Sequence, residues 1–122
     1  MKNTGMKLDA RIRSFKYSFD GIIQFFKVET NAWIHLLATI SIIIVSLFFH
    51  LSAVEWMFII TSISLVWITE MINTCIERIS DLITEEYHPT IKLIKDLAAG
   101  AVFIAGLSAL ACALIIFLPK IL

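Results

Sequence analysis

The chain has 122 residues, of which 59% are hydrophobic and 16% are charged. Soluble domains usually have about 45–50% apolar and about 25% charged residues, so this composition is typical of an integral membrane protein. The formal net charge of +0 argues against nucleic acid as a partner. A chain of this length is expected to form one functional domain.

The first predicted element is an amphipathic helix over residues 8–28. Its aromatic and aliphatic side chains recur at steps of three and four residues, and they are Phe15, Phe19, Ile22, Phe25 and Phe26. Basic residues occupy the other faces, which is typical of a helix that lies in the membrane interface. We therefore assign residues 1–31 to an N-terminal tail and interfacial helix. They contain no apolar signal sequence, so we expect the following span to remain in the protein.

Three apolar segments follow, and we assign residues 32–122 to one transmembrane domain. The first covers residues 32–51, the second begins at Trp56 and stays apolar through Ile68, and the third covers residues 97–118. The first and third have the roughly 20 residues that a membrane-spanning helix needs, and the second reaches that length by continuing as a helix with polar groups on one side. Lysine and arginine are concentrated before the first segment and between the second and third. The N-terminus and the second connection are therefore predicted to be cytoplasmic, and the C-terminus to lie outside.

The second segment continues into a polar stripe made of Glu70, Asn73, Glu77 and Asp81. At about 100° per residue, Glu77 and Asp81 fall within about 20° of Glu70, and Asn73 falls about 60° to one side. The stripe is about 16 Å long at the helical rise of roughly 1.5 Å per residue. It could be a solvated helix end, but the other faces remain apolar or small. Because ionisable residues at the hydrocarbon boundary are costly, a functional interpretation is favoured.

Clustered carboxylates repel each other unless a cation joins them. Mg²⁺ is held by one or two carboxylates together with substrate phosphates, and it neutralises charge during phosphoryl transfer. Glu29 is predicted at the same membrane depth as Glu77 and could supply a second carboxylate, while Lys95 could contact phosphate oxygens. The 4 glycines are isolated from one another, so the chain has neither a P-loop nor a G-x-G-x-x-G motif.

Two other classes of protein are also compatible with the residues. One is a small proton-coupled multidrug-type transporter that uses Glu70 as its intramembrane carboxylate. The other is an accessory helical protein that packs through the small residues of AAGAVFIAGLSALACA. A transporter needs its carboxylate near the membrane midplane, whereas the polar residues here gather at one membrane face. That position favours an enzyme.

The segments ITEMINTCIERISD, EEYHP and KDLAAGAV occur in this order, preceded by RSFKYSFDGI and VETNAWIH. On these segments the chain closely resembles the prokaryotic diacylglycerol kinase and undecaprenol kinase family, from about Arg11 to the C-terminus. The resemblance implies an all-α homotrimer of the bacterial inner membrane, with an interfacial helix, three transmembrane helices and cytoplasmic active sites shared between subunits. It also implies an enzyme that transfers the γ-phosphate of ATP to diacylglycerol or undecaprenol, with Mg²⁺ as cofactor.

The same resemblance implies roles for individual residues. Glu70 would be the general base with Asn73 beside it, and Glu29 and Glu77 would hold Mg²⁺. The nucleotide would contact Tyr17, Glu29, Glu77, Glu86, Tyr87, His88, Lys95 and Asp96. Supporting roles would fall to Asp81 and to either Arg11 or Arg13. The lipid substrate would contact Ser14, Asn31, Trp33 and Glu70. The chain departs from undecaprenol-kinase-type members at Trp33, where they often have Arg.

Overall fold

The computed structural model describes residues 2–122, with side chains described from residue 5 onward. The chain forms four α-helices, which are α1 (Lys2–Val28), α2 (Asn31–Phe48), α3 (Ala53–Ile83) and α4 (Pro89–Ile121). Residues 2–122 contain no β-strand. The predicted all-α architecture is therefore confirmed.

The helices differ in length from the apolar segments that predicted them. α4 begins at Pro89, well before the apolar segment at residue 97, since a helix can continue into water beyond the hydrocarbon. α2 ends at Phe48 rather than at residue 51. His50 takes a left-handed conformation with φ of 50°, which only a few per cent of non-glycine residues adopt, and it breaks the helix there.

A capping box starts α3 immediately after this break. The Ser52 Oγ accepts a hydrogen bond from the backbone N–H of Glu55 (3.2 Å), and the Ser52 N–H donates to the Glu55 side chain (3.1 Å). This reciprocal pair satisfies N–H groups that lack partners within the helix. The Glu55 carboxylate also lies 3.0 Å from the Nζ of Lys120, which ties the start of α3 to the end of α4.

The chain divides into two compact units, with the boundary between Leu36 and Leu37. In the first unit, the turn between α1 and α2 places the ring of Phe26 edge-on to Trp33, with 5.0 Å between centroids. In the second unit, α3 packs against α4. Its apolar core is centred on Leu51, Ile59, Ile116 and Phe117.

Three of the helices, α2, α3 and α4, are long and apolar enough to cross a membrane. Only 11%, 11% and 17% of their most apolar windows are buried within the chain. Soluble monomers rarely expose apolar patches of this extent. The prediction of three membrane-spanning helices is confirmed, and the chain is an integral membrane protein. The exposed rings of Phe15 and Phe19 on α1 fit the predicted interfacial position, which stays a prediction.

Candidate active site

The polar stripe lies on one face of α3, as predicted, because α3 is a single uninterrupted helix from Ala53 to Ile83. Its exposure changes along the helix. Glu70 and Asn73 are partly buried, whereas Glu77 and Asp81 are exposed. The stripe therefore runs from a sheltered carboxylate next to the apolar part of α3 to carboxylates that water can reach.

Asn73 links two parts of the stripe through its side-chain amide. Its Nδ2 donates a hydrogen bond to Oε1 of Glu77, 3.2 Å away and one helical turn later. Its Oδ1 is buried, and no hydrogen-bond donor reaches it from the described residues. Asn73 thus holds one oxygen of the Glu77 carboxylate and carries an amide oxygen that is costly to keep unpaired.

An ion pair extends the stripe from α3 to α4. The Nζ of Lys95 lies 2.6 Å from Oδ1 of Asp81, and the two side chains are 38% and 55% exposed. Exposed pairs of this kind contribute only about 0–1 kcal/mol to stability, so this contact mainly fixes where the Lys95 ammonium group lies. The cation predicted to contact phosphate is therefore held at the end of the stripe.

The connection between α3 and α4 is fixed by side-chain hydrogen bonds to its backbone. Thr84 accepts a hydrogen bond from the backbone N–H of Glu86 (3.1 Å). His88 is the N-cap of α4, and its Nδ1 accepts from the N–H of Thr90 (3.2 Å). Pro89 occupies the first helical position, where proline is favoured. The candidate nucleotide-binding residues Glu86, Tyr87 and His88 are thus positioned by hydrogen bonds at the end of α3 and the start of α4.

This connection and the start of α4 enclose an open depression of about 340 Å³, here called the loop depression. Its lining residues are Glu85, Glu86, Tyr87, His88, Ile91, Lys92, Lys95 and Asp96. The five residues of this region that the sequence assigned to nucleotide binding all line it. Lys95 belongs both to the depression and to the ion pair with Asp81, so the depression and the polar stripe form one continuous feature.

Sequence reasoning missed three residues that line the depression, namely Glu85, Ile91 and Lys92. The Nζ of Lys92 donates to Oδ2 of Asp96 at 2.5 Å. The signal for this pair was present, because residues four apart on a helix face each other. It becomes apparent only from the start of α4 at Pro89, because the apolar segment at residues 97–118 does not include either residue.

The remaining candidates on α1 belong to the first unit. Arg11, Arg13, Ser14 and Tyr17 are all exposed. Arg13 and Ser14 each donate a side-chain hydrogen bond to a backbone carbonyl one turn earlier, at 3.3 Å and 3.0 Å. These local contacts do not choose between Arg11 and Arg13 as the supporting residue.

Three further candidates lie where α1 joins α2. Glu29 follows the last residue of α1, and its carbonyl accepts a hydrogen bond from the N–H of Ala32 (3.1 Å). Asn31 is the first residue of α2 and is exposed. The ring of Trp33 packs against that of Phe26, so this candidate makes an aromatic contact here.

Among the described residues, no group of three or more His, Cys, Asp or Glu side chains lies close enough to hold a metal ion. Mg²⁺ needs only one or two protein carboxylates, because waters and phosphates supply its other ligands. The exposed Glu77 carboxylate, with one oxygen already oriented by Asn73, has the hard oxygen donors that this ion prefers. The residues of the stripe therefore fit a partial Mg²⁺ site.

Comparisons with known proteins point to one family. The profile of prokaryotic diacylglycerol kinase matches residues 16–117. Undecaprenol kinase of Bacillus subtilis (strain 168) is 36% identical over 115 residues, which cover 94% of this chain and 94% of that protein. The diacylglycerol kinase of Synechocystis sp. is 33% identical over 110 residues, or 89% of this chain and 63% of that protein. That of Haemophilus influenzae is 33% identical over 104 residues, or 85% and 86%.

Proposed function

The chain belongs to the prokaryotic diacylglycerol kinase family, and from this premise we propose that it transfers the γ-phosphate of ATP to diacylglycerol or undecaprenol. We place it in the bacterial inner membrane as a homotrimer whose active sites are shared between subunits. Its N-terminus and its site face the cytoplasm, and its C-terminus lies outside. This orientation follows the distribution of lysine and arginine.

The observation that supports this proposal best is the continuity between the polar stripe and the loop depression. Glu70 lies next to the apolar part of α3, where a lipid hydroxyl can approach from the bilayer. About 16 Å further along the helix, Asp81 holds Lys95 at the edge of the depression, where a soluble nucleotide can enter. A lipid kinase needs this combination of a lipid-facing base and a water-facing cationic site.

In the proposed reaction, Glu70 is the general base. It accepts the proton of the lipid hydroxyl while that oxygen attacks the γ-phosphorus atom. A new O–P bond forms, the bond between the γ-phosphorus and the bridging oxygen of the β-phosphate breaks, and ADP leaves with that electron pair. General-base catalysis of this kind contributes about 10²–10⁴-fold to the rate.

The other residues bind and position the two substrates. Glu29 and Glu77 would hold Mg²⁺, and the Asn73 amide donates a hydrogen bond to one oxygen of Glu77. When bound, this ion neutralises negative charge on the transferring phosphates. The nucleotide contacts Tyr17, Glu86, Tyr87, His88, Lys95 and Asp96, with Asp81 and one of Arg11 and Arg13 in support. The lipid contacts Ser14, Asn31, Trp33 and Glu70.

The proposal is tested by offering the purified protein γ-labelled ATP and Mg²⁺ with undecaprenol or diacylglycerol in mixed micelles. We expect labelled lipid phosphate with at least one of the two alcohols. The matched control is Asp9→Asn, which neutralises an exposed carboxylate of α1 outside the residues that the family profile matches and should leave the rate unchanged. Folded trimer that labels neither lipid would contradict the kinase. Proton-coupled substrate uptake that depends on Glu70 in liposomes would favour a transporter instead.

A further inference from the structure

Lys92 is a cation of the loop depression to which the proposed function gives no role. Its backbone N–H donates to the carbonyl of His88 (2.9 Å), which places it in the first turn of α4. Its Nζ donates to Oδ2 of Asp96 at 2.5 Å, and the two side chains are 59% and 60% exposed. Both residues line the depression, so this pair forms part of its wall.

The pair is poorly placed to stabilise the helix itself. The positive end of the helix dipole disfavours a cation in the first turn. A basic residue four positions before an acidic one is also the weaker order for a helical ion pair. The Lys92–Asp96 pair therefore contributes little to the stability of α4.

The charges around the depression suggest what Lys92 does there. The lining includes the carboxylates of Glu85, Glu86 and Asp96 and the ammonium groups of Lys92 and Lys95. Lys95 is already paired with Asp81 from outside the depression. An incoming polyphosphate would be repelled by the carboxylates unless a nearby cation offsets them. Lys92 is the cation in contact with Asp96.

We propose that Lys92 is a positioning residue for the nucleotide. It holds the Asp96 carboxylate by one oxygen and offsets its charge, so that the other oxygen can accept a hydrogen bond from a hydroxyl or amino group of the nucleotide. The phosphates then approach a wall with one fewer uncompensated negative charge. This inference rests on the proposed function, because it takes the depression to be the nucleotide site.

The expected consequence is a selective loss of nucleotide affinity. Lys92→Gln should raise the KM for ATP by about two- to fivefold, the range that exposed ion pairs span, and leave kcat and the KM for the lipid unchanged. Lys92→Arg keeps the charge and the donor, and should restore the KM. The matched control is Lys7→Gln, which removes an exposed lysine outside the depression and should change nothing.

Binding of a non-hydrolysable ATP analogue, measured by calorimetry, should weaken to the same extent without any turnover. Because Lys92 acts through Asp96, Lys92→Gln should add no further loss in an Asp96→Asn background. The proposal is overturned by an unchanged KM, by a fall in kcat alone, by failure of arginine to rescue, or by losses that add in the double variant. If the wild type binds the analogue through Lys92 but phosphorylates no lipid, the proposed kinase falls and the assignment of Lys92 stands.

Discussion

Replacing Asn73 with leucine should separate stability from catalysis, because the two ends of its amide have opposite effects. The hydrogen bond from Nδ2 to Glu77 is 3.2 Å long and reaches an exposed carboxylate, so its loss costs about 0.5–1.5 kcal/mol. The buried and unpaired Oδ1 costs about 1–3 kcal/mol, which leucine removes. Leucine is also the better helix former by a few tenths of a kcal/mol. The free energy of unfolding should therefore rise by about 1 kcal/mol.

Catalysis should change in the opposite direction. Without the Asn73 amide, the Glu77 carboxylate loses the hydrogen bond that orients it. The carboxylate must then be ordered when Mg²⁺ binds. A loss of about 1 kcal/mol corresponds to roughly a fivefold rise in the Mg²⁺ concentration that gives half-maximal activity. Unfolding in detergent and Mg²⁺ titration of lipid phosphorylation measure the two effects. Cys75→Leu, on the opposite side of α3, controls for an added leucine. Lower stability, or an unchanged Mg²⁺ requirement, would refute this reasoning.

Three further substitutions probe the contacts that hold the helices. Lys120→Gln should lower the thermal midpoint of unfolding in detergent, because it breaks the ion pair with Glu55. The activity should stay unchanged, because Glu55 lies in the first turn of α3, at the opposite end of that helix from Asp81. A midpoint equal to that of the wild type would contradict this role. Trp67→Phe removes the 2.9 Å hydrogen bond that Nε1 donates to Oγ1 of Thr39. The free energy of unfolding should fall by about 0.6 kcal/mol, which is the average for hydrogen bonds between membrane helices. Asp81→Asn should raise the KM for ATP about two- to fivefold, because Lys95 loses the carboxylate that positions its ammonium group. A lowered KM would contradict this, because it would show that Asp81 competes with phosphate for Lys95.

Local sequence patterns predicted the parts of the site that lie on one helix. Glu70, Asn73, Glu77 and Asp81 share a face because the period of an α-helix is fixed. The hydrogen bond from Asn73 to Glu77 also follows from their spacing of four residues. The apolar segments were equally informative about the membrane, since their length is set by the thickness of the bilayer.

Contacts between distant parts of the chain could not be predicted in this way. The pair of Asp81 and Lys95 depends on how α3 packs against α4, and that of Glu55 and Lys120 joins residues 65 positions apart. The apolar segments also did not give the ends of the helices. Apolar runs mark only the part of a helix inside the hydrocarbon, so the early start of α4 at Pro89 had no apolar signal. The position of Lys92 on the wall of the depression follows from that early start.

In the proposed mechanism, the Glu70 carboxylate of the polar stripe removes the proton from a lipid hydroxyl during phosphoryl transfer. A single-turnover measurement on Glu70→Gln, with γ-labelled ATP, Mg²⁺ and the preferred lipid all saturating, tests it most directly. We expect the rate of lipid phosphate formation to fall by about 10²–10⁴-fold, as loss of a general base requires. Binding of a non-hydrolysable ATP analogue should persist, because Glu70 lies outside the loop depression. A variant that phosphorylates lipid at close to the wild-type rate would contradict the claim.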